Sequence, residues 1–217
     1  MAVIFGPRAN LFVNAALIGA AALLAMLIVL VWVVPVMGLN TELGYAPPQP
    51  VLFSHKHHVG GLGIDCRYCH TSVETAANAG MPATETCMTC HSQLWTNAAL
   101  LAPVRQSLAD RKPLRWTRVY ALPDYVYFDH SIHVAKGVGC TECHGPIADM
   151  AQTRKAASLT MSWCLACHRD PGPHLRPKEA VFDPRWQPRD DRAHGAALMA
   201  ANHVHTAGLT DCGVCHR

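Results

Sequence analysis

The stretch FDHSIHVAKGVGCTECH, residues 128–144, holds an unusual number of metal-binding side chains in a short segment. Two histidines stand three residues apart, and two cysteines with the same spacing follow them. A third histidine, His144, comes directly after the second cysteine. Thiolate and imidazole are side chains with which proteins bind transition metals. The stretch therefore predicts a metal-containing site, and the rest of the chain indicates which kind.

The ten cysteines all occur in five copies of the motif CxxCH. Two thiols at this spacing can form thioethers with the two vinyl groups on one edge of a porphyrin, and the adjacent histidine then ligates the iron. A tetrahedral zinc site combines CxxC pairs, and an odd number such as five does not suit that pairing. Disulfides do not require a histidine after the second cysteine. We therefore predict five covalently bound haems c. The thioether cysteines are Cys66, Cys69, Cys87, Cys90, Cys140, Cys143, Cys164, Cys167, Cys212 and Cys215, and the proximal iron ligands are His70, His91, His144, His168 and His216.

The segment that precedes the motifs is also repeated. Residues 51–59 resemble residues 126–134, and two CxxCH motifs follow each copy. The sequence therefore predicts two two-haem modules, residues 51–95 and 126–170. The fifth haem belongs to residues 198–217, which carry a reduced version of the repeat.

Five further histidines are needed if every iron has two histidine ligands. Two imidazoles three residues apart lie on one face of a helical turn, and one iron has a single distal vacancy, so each HxxH pair should serve two haems. The first histidine of each pair should serve the nearest motif downstream, and the second should reach a neighbouring haem. The distal candidates are His55, His58, His130, His133 and His205, with His203 as the rival for the fifth haem.

Methionine is an alternative sixth ligand, which would raise the potential of that haem. A methionine in a haem pocket more often serves packing, so the candidates Met81, Met161 and Met199 rank below the histidines. The remaining histidines stand in polar or Pro-rich surroundings and are expected to be solvated. They are His57, His174 and His194.

The fold class follows from the haem load. Residues 38–217 are too few to build a conventional apolar core around five porphyrins. We expect a multihaem cytochrome c in which short helices and loops wrap around five covalent haems, with little sheet. A helix is expected over residues 97–110, a short strand over 116–120, and an extended Pro-rich arm over 171–192 that forms either a surface loop or a strap over a partner.

Residues 1–37 are interpreted as an uncleaved membrane anchor. The run from Leu11 to Val36 has no charge and would extend roughly 39 Å as a helix, against about 30 Å of bilayer hydrocarbon. It is longer than the apolar region of a signal peptide, and no small-residue cleavage site follows it. Arg8 precedes the run, which favours a single-pass protein of the inner or plasma membrane with a cytoplasmic N-terminus and an extracytoplasmic, periplasmic haem domain.

The formal net charge is +3 with neutral histidines. The propionates of five haems would add roughly ten negative charges and make the holoprotein acidic. The basic sequence is therefore no sign of a nucleic-acid partner.

Residues 51–217 resemble the class III multihaem cytochromes c through their FxHxxH and CxxCH modules. The segments 114–130 and 159–169, the five motifs and the anchor resemble more closely the pentahaem cytochrome c subunit of alternative complex III. That resemblance implies a membrane-bound quinol:electron-acceptor oxidoreductase. It also implies partner subunits, namely an iron–sulfur protein, polytopic quinol-binding membrane proteins and a monohaem cytochrome c. The HxH spacing of His203 and His205 departs from the HxxH of the modules.

Electron relay without a catalytic site of its own is the leading functional hypothesis. One alternative is a stand-alone, membrane-anchored quinol dehydrogenase, in which this chain itself binds quinol. A multihaem reductase is less favoured, because it needs one iron with an open face. Such enzymes often mark that iron with a CxxCK motif, and the chain has none.

Overall fold

The computed structural model describes residues 6, 8–36, 41–187 and 192–216. The chain divides into two units, Met1–Glu42 and Leu43–Arg217. The predicted boundary between residues 37 and 38 lies outside the described residues.

The described part of the first unit contains helix α1, Ala9–Val36. Its portion Ala9–Val34 has a mean hydropathy of 2.9 and is long and apolar enough to cross a membrane. The predicted N-terminal helix is confirmed. Its large apolar side chains, such as Phe12, Leu24 and Trp32, are exposed, as expected for a helix whose surroundings would be lipid.

Short helices joined by loops make up the second unit. The CxxC cysteines lie in α2 (Cys66–Cys69), α3 (Thr84–His91), α6 (Cys140–His144), α7 (Met161–Arg169) and α9 (Cys212–Cys215). The remaining α-helices are α4 (Ala102–Asp110), α5 (His130–Ala135) and α8 (Arg192–Ala201). A π-helical turn spans Lys56–Gly61, and 3-10 turns span Ala99–Leu101, Ile147–Asp149, Gly172–His174 and Lys178–Ala180.

The described part of the chain contains no β-strand, only two isolated bridges that pair Val126 with His216 and Val138 with Leu175. The strand expected over residues 116–120 is therefore wrong. The side-chain amide of Gln49 donates to the Thr117 carbonyl at 2.8 Å and accepts from its N–H at 2.9 Å. The Gln49 side chain thus bonds to the backbone N–H and carbonyl with which Thr117 would otherwise have paired with a neighbouring strand. The expected helix over 97–110 is shorter at its start, because a 3-10 turn precedes α4.

Apolar packing in the second unit is sparse. One compact cluster contains Val51, Leu101 and Val104, against which Met88 and Trp116 pack. The other buried apolar residues are scattered along the chain. Short helices, little sheet and a small apolar core are the predicted fold class.

The π-helical turn Lys56–Gly61 packs closely against the 3-10 turn Ile147–Asp149, joining the two predicted modules. The Lys56 N–H donates to the Met150 carbonyl at 2.9 Å. A Cβ added at Gly60 would collide with the carbonyl oxygen of Ala148, a backbone atom that cannot move aside cheaply. Position 60 therefore requires glycine because the Ala148 backbone approaches it closely, and not because of the backbone angles of Gly60.

The variant Gly60→Ala should be destabilised by about 1–3 kcal/mol, the usual cost of overpacking a tight contact. Gly61→Ala is the matched control, because the nearest atom to its new Cβ is the Lys56 carbonyl oxygen at 3.6 Å, an ordinary contact. Denaturant unfolding of the haem-loaded chain measures both. Equal midpoints for the two variants would contradict this account of the module contact.

Residues 171–187, the described part of the Pro-rich arm, form a strap across the chain's own haem unit. Leu175, Arg176 and Val181 are buried, and the Arg176 N–H donates to the Gly137 carbonyl at 2.9 Å. This packing matches neither of the two expectations, which were a surface loop and a strap over a partner. The physical reason is that the arm carries apolar and cationic side chains that fit against the third CxxCH motif. Residues 188–191 lie outside the described part of the chain.

Candidate haem sites

Each CxxC pair occupies one turn of a short helix. Helices α2, α6 and α9 begin at the first cysteine, and α3 and α7 include both. Positions three apart lie on the same face of a helix, so the two thiols of a motif can reach one porphyrin edge. The cysteines, all of which lie in the described ranges, form no disulfide.

Three histidine pairs have the spacing expected of two imidazoles on one iron. A metal roughly 2.0–2.1 Å from the nitrogens of two opposed imidazoles places the ring centroids roughly 6–6.5 Å apart. The centroids of His58 and His91 are 6.2 Å apart, with an angle of 68° between the ring planes. The His130–His144 pair is at 6.4 Å and 12°, and the His133–His168 pair is at 6.2 Å and 33°.

The pairs follow one rule in both predicted modules. In the second module, His130 lies at the nearest motif downstream and His133 at the next one. His58 likewise lies at the second motif of its own module. The ring of His55 interacts electrostatically with His70 of the nearest motif. The structure brings these histidines together, and their binding to haem iron stays a prediction.

Hydrogen bonds at Nδ1 leave Nε2 of these histidines available for a metal. A carbonyl oxygen only accepts, so an Nδ1 bonded to it must carry the proton, and the lone pair is then on Nε2. The pairs, from Nδ1 to the carbonyl oxygen, are His70–Gly80 at 2.7 Å, His91–Leu94 at 3.2 Å, His168–Leu209 at 2.8 Å, His58–Ser54 at 2.9 Å, His130–Ala77 at 2.8 Å and His133–Asp129 at 2.6 Å. The donor set fits haem iron.

One phenylalanine per module supports both distal candidates. The Phe53 ring lies edge-on to His55 at 4.9 Å and stacks on His58 at 4.4 Å. Phe128 repeats these contacts with His130 at 4.8 Å and His133 at 4.5 Å. The FxHxxH pattern showed this phenylalanine in both copies, but its role becomes visible only in the structure.

Each of the two predicted modules makes a hydrogen bond to the first distal candidate of the other. His130 donates from its backbone N–H to the Ala77 carbonyl at 3.2 Å, the same carbonyl that its Nδ1 contacts. In return, Thr153 of the second module places its hydroxyl 3.0 Å from His55 Nδ1. The orientation of each of these two distal candidates therefore depends on contacts from the other predicted module.

Burial keeps the imidazoles of His55 and His144 neutral, which is the form that binds metal. It is the main cause that lowers the pKa of His55 to about 4, with smaller contributions from His70 and His58. Burial, followed by the charge of His130, lowers the pKa of His144 to about 4 as well. At neutral pH both rings carry a free lone pair.

The fifth motif has a different environment. His216 Nδ1 lies 3.3 Å from the Tyr125 carbonyl oxygen, and the two rings stack at 6.0 Å. His203 and His205 are exposed, and neither makes a ring contact with His216 within the described residues. Asn202, at the position equivalent to His130, is buried and donates to the Arg176 carbonyl at 3.3 Å. The distal ligand of this haem therefore stays a prediction.

The other candidates lie apart from these pairs. Met81 and Met161 are exposed. His57 is exposed and stacks on Trp95 at 5.5 Å. His174, expected to be solvated, instead contacts Glu142 at 3.1 Å.

The first motif contacts both the second and the third. Tyr68, inside the first motif, shares a hydrogen bond of 2.8 Å with Thr89, inside the second. A hydrogen bond between the Cys66 and Cys140 thiols lowers the pKa of Cys66 and raises that of Cys140. These sulfurs would become thioethers on haem attachment, so the contact serves only to show that the first and third motifs lie close together.

The remaining motifs continue the series. Burial raises the pKa of Cys143 to about 12, and the nearby charge of Cys167 adds to it, which puts the third and fourth motifs together. Burial also raises the pKa of Cys164, with a contribution from Cys215 of the fifth motif. The motifs therefore lie in the spatial order second, first, third, fourth, fifth.

A buried arginine anchors the third motif. Arg176 is only 1% exposed, and its Nη2 donates to Thr141 Oγ1 at 2.8 Å and to Glu142 Oε1 at 3.2 Å. Its Nη1 donates to the Asp183 carbonyl at 3.0 Å, and the guanidinium lies 4.7 Å from the centre of the Trp186 ring. Burial alone would raise the pKa of Glu142, but the hydrogen bonds from His174 and Arg176 outweigh it and lower that pKa.

Two comparisons with known proteins bear on the family of this chain. A curated relative, the "Menaquinone reductase, multiheme cytochrome c subunit" of Nitratidesulfovibrio vulgaris, is 36% identical over 97 residues, which are 44% of this chain and 45% of the relative. The matched part thus spans a little less than half of the relative's length. A family model described as cytochrome c7 and related cytochrome c matches residues 51–101 and 126–217. These ranges contain every CxxCH motif and both HxxH pairs, and the chain belongs to the cytochrome c7 and related cytochrome c family.

Proposed function

We propose that this chain relays single electrons through five haems c as a subunit of a membrane-bound quinol:electron-acceptor oxidoreductase of the alternative complex III type. Family membership makes covalent haem c its cofactor and electron transfer its function. The number of haems, the ligand assignments and the identity of the complex are parts of the proposal. The observation that carries it is the unbroken spatial series of five motifs.

The chain's own residues hold the haems in defined orientations. The motif cysteines form the thioethers and the motif histidines are the proximal ligands. His55, His58, His130 and His133 are the distal ligands, and His205 or its rival His203 completes the fifth haem. Each bound haem supplies reversible one-electron chemistry. The carbonyl bonds at Nδ1 and the supporting phenylalanines fix the imidazole planes. Burial keeps the rings of His55 and His144 neutral.

The membrane anchor and the relative both support an assembly with other subunits. Helix α1 would hold the chain as a single-pass protein with its haem unit on the extracytoplasmic side. The relative is named as one subunit of a menaquinone reductase. We infer as partners an iron–sulfur protein, polytopic quinol-binding subunits and a monohaem cytochrome c.

A second candidate is the same relay in a complex that reduces menaquinone, which the relative's name favours. In that case electrons pass through the haems toward the quinone rather than away from it. The two candidates require the same five haems and differ in the direction of net turnover.

The test uses the full chain, purified from membranes both within its complex and alone. Mass spectrometry should show five covalent haems, and quinol oxidation by the complex should disappear in the isolated chain. Quinol turnover by the isolated chain would instead support a stand-alone dehydrogenase. Net quinone reduction by the complex would support the menaquinone reductase type.

A further inference from the structure

Residues 102–125 lie outside the ranges matched by the family model, yet this segment reaches several of the motifs. At its start, Ser107 bonds to Thr84 of α3, the helix of the second motif, at 2.6 Å. Gln49 holds its middle through both backbone groups of Thr117. Its end pairs with the fifth motif, where His216 lies beside Tyr125. The segment is therefore fixed at both ends and can hold a side chain in place between them.

Tyr120 is the side chain of this segment that lies on the third motif. Its ring centroid is 4.4 Å from that of His144, and the planes meet at 64°. The hydroxyl donates to the Arg154 carbonyl at 3.2 Å and accepts from the Ala156 N–H at 2.8 Å. Burial raises the pKa of Tyr120, so it stays a neutral phenol that can donate. The ring is held at two points beyond the imidazole and cannot turn away.

His144 differs from the other proximal histidines in what holds it. The other four place Nδ1 within hydrogen-bond distance of a carbonyl oxygen. Within the described residues, His144 Nδ1 makes no such bond. An imidazole without this bond can turn about its Cβ–Cγ bond unless packing prevents it. The His144 plane is nevertheless within 12° of the His130 plane.

We propose that Tyr120 is the positioning residue that fixes the imidazole plane of His144 at the third haem. The packed ring takes the place of the missing Nδ1 hydrogen bond and keeps His144 nearly parallel to His130. The inference rests on the proposed function, because it requires that these two histidines ligate one iron. It assigns a role to a segment that the family model does not cover.

The angle between two imidazole planes can be read from the electron paramagnetic resonance spectrum of ferric haem. Nearly parallel planes give a rhombic low-spin signal, whereas planes at a large angle give a signal with one dominant high g value. The 12° pair of the third haem and the 68° pair of His58 and His91 should therefore give separate components. The pair of His133 and His168, at 33°, should lie between these two, so the most rhombic component, called the rhombic component from here on, reports on His144.

The experiment compares the oxidised holoprotein with Tyr120→Leu, Tyr120→Phe and the control Tyr45→Phe. Mass spectrometry first establishes that each retains its covalent haems. In Y120L the rhombic component should lose most of its intensity while the other components persist. In Y120F the ring remains but its two anchoring hydrogen bonds are lost, so a smaller loss is expected. Tyr45 is 54% exposed and its side chain makes no described contact with a motif, so Y45F should match the wild type.

Two results would overturn the proposal. An unchanged rhombic component in haem-complete Y120L would show that something else orients His144. If Y120L loses a haem, Y120F decides: an unchanged component in that variant would show that a ring anchored by its two hydrogen bonds is not what fixes His144. A wild-type spectrum with five haems and no rhombic component would remove the shared iron of His130 and His144, and with it both the ligand assignment and this proposal.

Discussion

Replacing Cys140 and Cys143 by serine should abolish electron equilibration between the two ends of the chain. The third motif lies in the middle of the spatial series, between the first motif at Cys66 and the fourth at Cys167. Loss of its haem leaves two separated pairs, and tunnelling across a missing haem is slower by orders of magnitude. Pulse-radiolysis kinetics of the holoprotein should lose the slow phase in which the two halves reach a common potential.

The matched control replaces Cys87 and Cys90, which lie in the second motif at one end of the series. This variant also lacks one haem, but its remaining four stay contiguous, so equilibration among them should keep near wild-type rates. Mass spectrometry must show four haems in both variants. If both lose equilibration equally, or neither does, the proposed order is wrong.

Local spacing in the sequence predicts the haem ligands but carries no information on the spatial order of the motifs. A CxxCH motif fixes a thioether pair and a proximal histidine within one helical turn, and HxxH fixes two imidazoles on one face. The order depends on how the two modules pack, through contacts such as His130 with Ala77 and His55 with Thr153. Such contacts leave no periodic signal in the sequence.

The segments whose structure or role the sequence did not predict show the same dependence on tertiary contacts. Residues 116–120 are rich in strand-forming types, but strand formation needs a partner, and Gln49 occupies the Thr117 backbone groups instead. Tyr120 and Arg176 support the third motif from segments that carry no motif of their own. Their roles depend on tertiary contacts that composition does not show.

Arg176→Met should destabilise the haem unit by roughly 2–3 kcal/mol. Removing one partner of a buried ion pair costs about 3–5 kcal/mol, because the other charge loses its compensation. The cost is discounted here, since the Glu142 side chain is 24% exposed and His174 still contacts it. Arg176→Lys keeps the charge but cannot donate to Thr141, Glu142 and Asp183 at once, so an intermediate loss is expected.

The matched control is Arg67→Met. Arg67 also pairs with a carboxylate, Asp65 at 2.9 Å, and lies over the Phe182 ring at 4.3 Å. Its side chain is 48% exposed, so water replaces the lost ion pair and the midpoint should barely change. Denaturant midpoints of the holoprotein at constant slope compare the variants. A larger loss for R67M than for R176M would contradict the assigned role of burial.

Gly139 provides an independent check that the Arg176 guanidinium is the packed group. A Cβ at Gly139 would collide with that guanidinium. Gly139→Ala should therefore displace Arg176 and remove much of the same stabilisation. In a double-mutant cycle, G139A should cost clearly less in the R176M background than in the wild type, because the group it displaces is already absent. Strict additivity would mean that the two residues act separately, and that the strap over the third motif is held by something other than this contact.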